Sequence, residues 1–290
     1  MDIKDFVFKV LNRRKLKKHK LCRSDRLLLK RNSIFKNIHK GCRCFILGNG
    51  PSLKKIDFAL LQNEYVFTVN QLPKDPNFQK LKTNYHFWAD SRFFNFDFSN
   101  ITTGHEELVK TMLAANTIDN KPVVFYDISA KPMIDYFGLR KELDIYYFAL
   151  VDVYKKAFLE NHVYDIRKRV PNFSTVVQTC ICVAVYMGFK EIVLLGCDQT
   201  SVINIIQSRI ESENVTEYAY ELSEAEQKRL KTVAKQTSLA NELKWQGDVL
   251  DTYDYLYEYC KKKGISLLNA TEGSLIESIP KIRLEDKLKK

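Results

Sequence analysis

The chain has no uninterrupted apolar run of the roughly 18 to 20 residues that a membrane-crossing helix needs, so no integral span is expected. It has no C-x2-C pair either. Its seven cysteines, at 22, 42, 44, 180, 182, 197 and 260, give only C-x-C spacings and lie mostly inside apolar runs, which points to reduced core residues and not to a zinc site. No secretory leader is recognisable at the start, in keeping with reduced thiols. Positive charge is missing from most of the chain. Of the net +11, residues 1–43 carry 15 Lys and Arg against 3 Asp, a local net of +12, so the remainder sums to about −1. A nucleic-acid-binding fold usually carries its basic patch on the domain itself, so nucleic acid is not expected as a partner.

What is present suits a globular enzyme-sized domain: 290 residues, 45% of them hydrophobic, enough for a substantial core. The basic arm reads as a segment of its own, residues 1–42. Ile3, Phe6, Val7, Val10 and Leu11 share one helical stripe, followed by a run rich in Lys and Arg from Arg13 to Lys20. Such an arm suits an anionic membrane surface, each nearby cation adding roughly 1 kcal/mol. It equally suits a helix packed on its own domain or on a partner.

From Arg43 onward, strands alternate with helices. Strands are expected at 44–47, 65–69, 85–88, 123–126, 145–148, 192–195 and 266–268, and helices at 106–115, 153–159, 175–187 and 223–263. Ser223-Glu-Ala-Glu226 is a capping box that would open the last helix, Gly264 would close it, and so long a run is expected to break near Gln236 or Gly247. This alternation implies an α/β fold with a parallel sheet covered on both faces, in which ligands sit at the carboxyl ends of the strands. The catalytic domain is placed at 43–280, with a charged tail at 281–290.

The strand ends hold the candidate site: Gly48-Asn49-Gly50, Asn70-Gln71, Asp90-Ser91-Arg92 and Gly196-Cys197-Asp198. Gly48 and Gly50 would allow positive φ and close approach of a ligand, Pro51 would set the following turn, and successive N–H groups would form an anion nest backed by a short helix at 53–61. The same residues also suit an ordinary turn. Asn70 offers donor and acceptor as a ribose or base edge requires, while Asp90 and Asp198 are carboxylates emerging from apolar strands. Each Asn or Asp could equally cap a turn.

Three stretches together resemble the bacterial sialyltransferases of glycosyltransferase family 42: Gly48-Asn-Gly-Pro-Ser-Leu-Lys-Lys-Ile-Asp57, Val69-Asn-Gln71, and Ala184-Val-Tyr-Met-Gly-Phe-Lys-Glu-Ile-Val-Leu-Leu-Gly-Cys-Asp198. The resemblance spans about residues 43–280. It implies a single Rossmann-like nucleotide-binding domain of the GT-A-like sialyltransferase type, transfer from a CMP-linked donor without a metal cofactor, and a lipooligosaccharide or capsule glycan acceptor. It also implies a cytoplasmic, peripheral location at the inner membrane face. By matched position it implies that Asn49 and Asn70 contact the cytidine nucleotide; Gly48, Gly50, Ser52, Gln71 and Gly196, from the first loop and the strand ends, are expected around it. Thr175 would line the donor pocket, and Asn269 and Ser274 would belong to a loop closing over the donor. Two departures stand out: the family's late histidine has no counterpart beyond His162, and the position two residues after the strand-end Asp is Thr200, with Tyr218 or Tyr220 as substitutes. The first loop and the Gly-x-Asp strand end also resemble archaeal 6-hydroxymethylpterin pyrophosphokinase-like proteins, which need Mg²⁺.

For sugar transfer the base would be Asp198 or Asp90, with His162 and His86 as outside candidates, and the acceptor hydroxyl would displace the nucleotide with inversion. For the phosphoryl-transfer alternative, Asp90 and Asp198 would hold Mg²⁺ on ATP. A third alternative keeps the fold as an inactive nucleotide-binding or interaction protein. Residues 201–222 are expected as a polar lid. The sequence leaves sugar, linkage and oligomeric state unread, a homo-oligomer included.

Overall fold

The computed structural model describes residues 3–210, 217–224, 227 and 238–288. Eight strands form one sheet: β1 Arg43–Leu47, β2 Tyr65–Val69, β3 Tyr85–Trp88, β4 Val123–Asp127, β5 Asp144–Val151, β6 Arg169–Pro171, β7 Glu191–Leu195 and β8 Ser266–Asn269. Their order is β6-β5-β4-β3-β2-β1-β7-β8, and every pairing is parallel. The chain walks outward from β1 to β6, then returns to place β7 on the other side of β1. Strand order therefore reverses between β1 and β7, where open α/β sheets leave a crevice for ligands.

Both faces of the strands are buried because side chains alternate between them. Cys44 and Ile46 of β1 join Phe67, Phe87 and Phe125 in a core under helix α6, Val176–Met187, and the long helix α8, Leu239–Lys262. Phe45 and Leu47 point the other way, with Val193 and Leu195 of β7. A third cluster places Trp88 and Tyr126 beneath helices α3, Thr103–Leu113, and α4, Lys131–Tyr136. Helix α6 is buried almost all round, as an apolar helix must be to be stable here.

The seven expected strands are present. β6 was not foreseen: it has three residues, one of them Arg169, too few to show alternation, and its Pro171 is tolerable because the strand is at the edge. The helix expected over 223–263 is observed as α8, capped by the Ser238 side chain and running through Gly247 unbroken. The capping box at Ser223-Glu-Ala-Glu226 and the break at Gln236 fall partly or wholly outside the described residues. The start of the expected polar lid is instead helix α7, Ser201–Ile210. Ile203, Ile205, Ile206 and Ile210 give it an apolar periodicity that a reading for polarity passed over.

Five of the seven cysteines are buried and all are unpaired; Cys22 is the exposed exception. No helix among the described residues is long and apolar enough to cross a membrane.

The N-terminal arm folds as α1, Ile3–Lys18, and α2, Arg23–Lys30, and both lie on the domain. Phe6 and Val7 of the expected apolar stripe are exposed. The inward face is polar-centred: Phe8 stacks on Tyr154 with ring centroids 4.0 Å apart, and Asn12 is fully buried. The Asn12 amide donates to the Tyr154 carbonyl at 2.9 Å and accepts the Tyr154 N–H at 2.8 Å, a ladder-like pair that no hydrophobicity pattern shows. Tyr154 immediately precedes helix α5, Lys155–Asn161. Asn12→Ala would orphan both backbone groups, and we expect a loss of about 1–3 kcal/mol. Urea denaturation checks this; a midpoint equal to that of the parent would mean that α1 is not anchored there. At the other end, α9, Leu284–Leu288, is tied to the sheet by Lys287, whose carbonyl accepts from Arg43 and whose ammonium bonds Glu191.

Candidate active site

A cleft of about 1190 Å³ runs along the carboxyl ends of the strands. At the switch point its floor is two loops locked together. The Gly48 N–H donates to the Leu195 carbonyl at 2.8 Å and the Gly50 N–H to the Gly196 carbonyl at 2.9 Å, so the β1–β7 ladder continues past both strands. Asp198 closes the contact: its carboxylate accepts the Ser52 N–H at 3.1 Å and the Ser52 hydroxyl at 2.8 Å.

This geometry corrects the expected anion nest. The N–H groups of Gly48, Gly50 and Ser52 are already used, and neither Gly48 nor Gly50 has positive φ. The glycines serve closeness instead. A Cβ on Gly48 would lie 2.3 Å from the Gly196 carbonyl oxygen, and one on Gly50 would lie 1.8 Å from an Asp198 oxygen. The short helix expected at 53–61 is two 3₁₀ turns, Pro51–Lys55 and Phe58–Leu61, which offer no helix-end dipole of consequence.

Several helices begin at the cleft, α6 among them. Thr175 caps it in a reciprocal capping box with Gln178, and Thr175, Val176 and Val177 line the cleft. The first-turn N–H groups of any helix lack intrahelical acceptors, so those of Val176 and Val177 are available to an anion. Ser174, just before the cap, accepts from the Lys155 ammonium at 2.7 Å and donates to Asp248 at 2.6 Å. The sequence reading found Thr175 but not this supporting triad, whose members are distant along the chain.

Asn70 sits at the end of β2 with φ of +48°, in the left-handed region that costs a non-glycine residue about 1 kcal/mol. Its N–H is held by the Phe87 carbonyl at 2.9 Å, while its side-chain oxygen is buried and unpartnered. Asn70 as a residue lines the cleft, and a small turn of its side chain would bring that oxygen to a ligand donor. Asn49 also lines the cleft; with its side-chain O and N exchanged, the orientation that satisfies both, the amide nitrogen donates to the Val69 carbonyl at 3.2 Å, and its backbone carbonyl accepts the Ala219 N–H at 3.0 Å. Gly196, with φ of +62°, completes the floor.

Among the chain's solved structural neighbours are two glycosyltransferases. One is the sialyltransferase CstII from Campylobacter jejuni, solved in complex with a substrate analogue, cytidine-5′-monophosphate. It is 20% identical, with a TM-score of 0.46, over 84% of this chain and 85% of that one. The other is the MAf glycosyltransferase from Magnetospirillum magneticum AMB-1, 14% identical with a TM-score of 0.47, over 89% of this chain and 38% of that one. The chain thus spans well under half the length of the second. No protein-family model and no curated protein matches the sequence.

The four other expected contacts lie behind the cleft. Gln71 is buried beyond Asn70, and Ser52 is turned toward Asp198. Asn269 and Ser274 do not close over the cleft; they brace β7 from behind. The Asn269 amide donates to the Ser274 hydroxyl at 3.0 Å, which donates to the Cys197 carbonyl at 2.7 Å, while Leu275 N–H donates to the Asp198 carbonyl at 2.9 Å. Their polarity is spent on loop backbone, which a sequence cannot distinguish from polarity kept for a ligand.

The carboxylates differ. Asp198 is buried, and that burial pushes its carboxyl above the ordinary carboxylate value, although the Ser52 hydrogen bonds pull the other way. Asp90 caps the turn at Ser91–Phe93 through the Arg92 N–H and is clasped by the Arg92 guanidinium at 2.6–2.9 Å. Both line the cleft. The outside histidines do not: His86 is fully buried beneath the sheet surface, hydrogen-bonded to Thr68, with its pKa pushed down to about 3, and His162 is stacked on Phe158. Tyr218 and Thr200 line the cleft, whereas Tyr220 is buried in the core beside Tyr218. Unforeseen lining residues include Lys15, Asp127, Asp152, Tyr154, Lys155 and Trp245.

Proposed function

We propose that the chain is an inverting glycosyltransferase that takes sialic acid or a related sugar from a CMP-linked donor and passes it to a glycan or glycolipid acceptor. The observation that carries this reading is the cleft at the β1–β7 reversal, lined both by the free first turn of α6 and by Asn70, whose buried side-chain oxygen has no partner. An anion and a polar base or ribose edge suit those two features. At about 1190 Å³ the cleft exceeds the 300–1,000 Å³ of ordinary ligand pockets, which leaves room for a second substrate beside the donor. The sequence resemblance in the loop at Gly48 and the strand end at Asp198 supports the choice of a CMP-linked donor.

In this reading Asp198 takes the acceptor hydroxyl proton as the new bond forms at the anomeric carbon. The bond from that carbon to the donor phosphate breaks through an oxocarbenium-like state, and CMP leaves with the electron pair. The leaving phosphate is met by the N–H groups at the start of α6 and by the hydroxyls of Thr175 and Tyr218. Asp90 is the weaker choice as base, since its lone pairs already face Arg92. The Mg²⁺ alternative needs both carboxylates for a metal, yet that of Asp90 is clasped by the Arg92 guanidinium.

The expected result is that CMP raises the melting temperature with or without Mg²⁺, because a ligand of the native state adds RT ln(1 + [L]/Kd). Asn70→Ala should reduce that rise, corresponding to roughly tenfold weaker binding for one lost hydrogen bond. A rise seen only with ATP and Mg²⁺ would reverse the assignment.

A peripheral position on an anionic membrane is part of the proposal. Phe6 and Val7 are exposed, and Arg13, Arg14, Lys17 and Lys18, one and a half to three turns on, are exposed on the same side of α1. Reversing those four charges to Glu should weaken binding to phosphatidylserine vesicles by about 100-fold or more. Unchanged sedimentation with the vesicles would place the arm elsewhere.

A further inference from the structure

We propose that Lys15 recognises an anionic group, a carboxylate or a phosphate, on the acceptor, so that the N-terminal helix forms one wall of the acceptor half of the cleft. The proposal rests on the glycosyl-transfer reading of that cleft.

Phe8, Asn12 and Lys15 fall at i, i+4 and i+7, one face of α1, and all three converge on Tyr154. Phe8 stacks on its ring at 4.0 Å, Asn12 bonds its backbone N–H and carbonyl, and the Lys15 ammonium lies 4.9 Å from the ring centroid. Tyr154 and Lys15 both line the cleft. The helix is thus registered to the cleft by a fully buried residue, and its lysine is held by an aromatic face, which reduces the freedom it would lose on binding an anion.

Charge balance sets Lys15 apart. Among the described residues, three Lys or Arg side chains line the cleft. Arg92 is paired with Asp90 and Lys155 with Asp248, whereas Lys15 makes no ion pair. A half-buried cation at a cleft wall, set over a ring and without an ion pair among the described residues, has donor directions to offer an anion.

Position assigns it to the acceptor. Tyr154 follows the end of β5, four strands from β1 in the sheet. At about 4.8 Å per strand that is roughly 19 Å from the Gly48 and Asn70 end of the cleft, where the nucleoside is placed, while the phosphate site at α6 lies closer, because Lys155, next to Tyr154, bonds Ser174 just before the α6 cap. An extended glycan acceptor whose reacting hydroxyl meets Asp198 would carry its anionic group along the cleft away from the nucleoside, toward the end where Lys15 stands.

The test uses the full chain as parent, Lys15→Gln and Lys15→Arg. Binding of glucuronate, glucose 6-phosphate and glucose is measured by saturation-transfer NMR with and without saturating CMP, and the melting shift with CMP alone is recorded for each protein. The expected result is that one or both anionic sugars bind the parent about tenfold more tightly than glucose. That preference should vanish in Lys15→Gln and persist in Lys15→Arg, with the CMP shift the same in all three. Parity among the sugars in the parent overturns the proposal, as does a preference that survives in Lys15→Gln. A CMP shift that falls in Lys15→Gln also overturns it, because the lysine then belongs to the donor. Failure of the glycosyl-transfer reading has a separate signature: no CMP shift in the parent, whatever the sugars do.

Discussion

Gly48→Ala is expected to lower the melting temperature by roughly 5–10 °C and to abolish CMP binding. The added Cβ would stand 2.3 Å from the Gly196 carbonyl oxygen and 3.0 Å from its carbon. Those atoms are backbone, so no side chain can swing aside. The loops cannot separate cheaply either, because the Gly48 N–H bonds the Leu195 carbonyl and the Gly50 N–H bonds that same Gly196 carbonyl. Overpacking of this kind typically costs about 1–3 kcal/mol, and each kcal/mol moves the midpoint of a domain of this size by about 2–4 °C. Gly50→Ala makes the useful comparison. Its Cβ would meet the Asp198 carboxylate, which can rotate away only by releasing the Ser52 hydroxyl and N–H, and would also stand 2.7 Å from the Gly196 carbonyl oxygen. It should therefore cost stability as well and in addition detach Asp198 from Ser52. A calorimetric midpoint for Gly48→Ala within about 2 °C of the parent would show that the loops are not locked as described.

Asp198→Asn is expected to lower turnover about 100-fold or more, read as CMP release from CMP-sialic acid in the presence of an accepted glycan. Asparagine keeps the size of the side chain and one oxygen to accept from Ser52, so the loop contact survives in part while the base is lost. CMP affinity should change little, which separates a chemical role from a collapsed site. The parent should also show the signature of a buried base. A base works deprotonated, so the rate rises with pH as Asp198 ionises; since burial holds its carboxyl above the ordinary value, the acidic limb should lie above that of a solvated aspartate. Asp90→Asn should have a much smaller effect, because Asp90 caps its own turn and holds Arg92. If Asp198→Asn turns over within about threefold of the parent, its carboxylate acts only as the tether of Ser52.

The contrast between those carboxylates shows how far the residues alone could be read. Both are acidic residues just beyond apolar strands. What separates them is a neighbour two positions away in one case and 146 positions away in the other. The local partner of Asp90 could be suspected from Asp90-Ser91-Arg92; the partner of Asp198 depends on β7 lying beside β1. The same distinction runs through Asn269 and Ser274, whose polar groups face the Cys197 backbone, and through Lys15, which looks like one more charge in a basic run until α1 is seated on Tyr154.

Local composition was sufficient to determine the alternation of strand and helix, the burial of β1 and β7, the burial and cap of α6, and the strand ends where polar residues gather. Those features depend on side-chain periodicity and on neighbours within a few residues, which a sequence carries directly. Tertiary structure alone decided that Gly48 and Gly50 serve close approach and not positive φ, that the first turn of α6 opens onto the cleft, and that Lys15 of α1 lines it. Each of these depends on which backbone lies against which across a long stretch of chain, a matter settled by strand order and packing and by no local pattern.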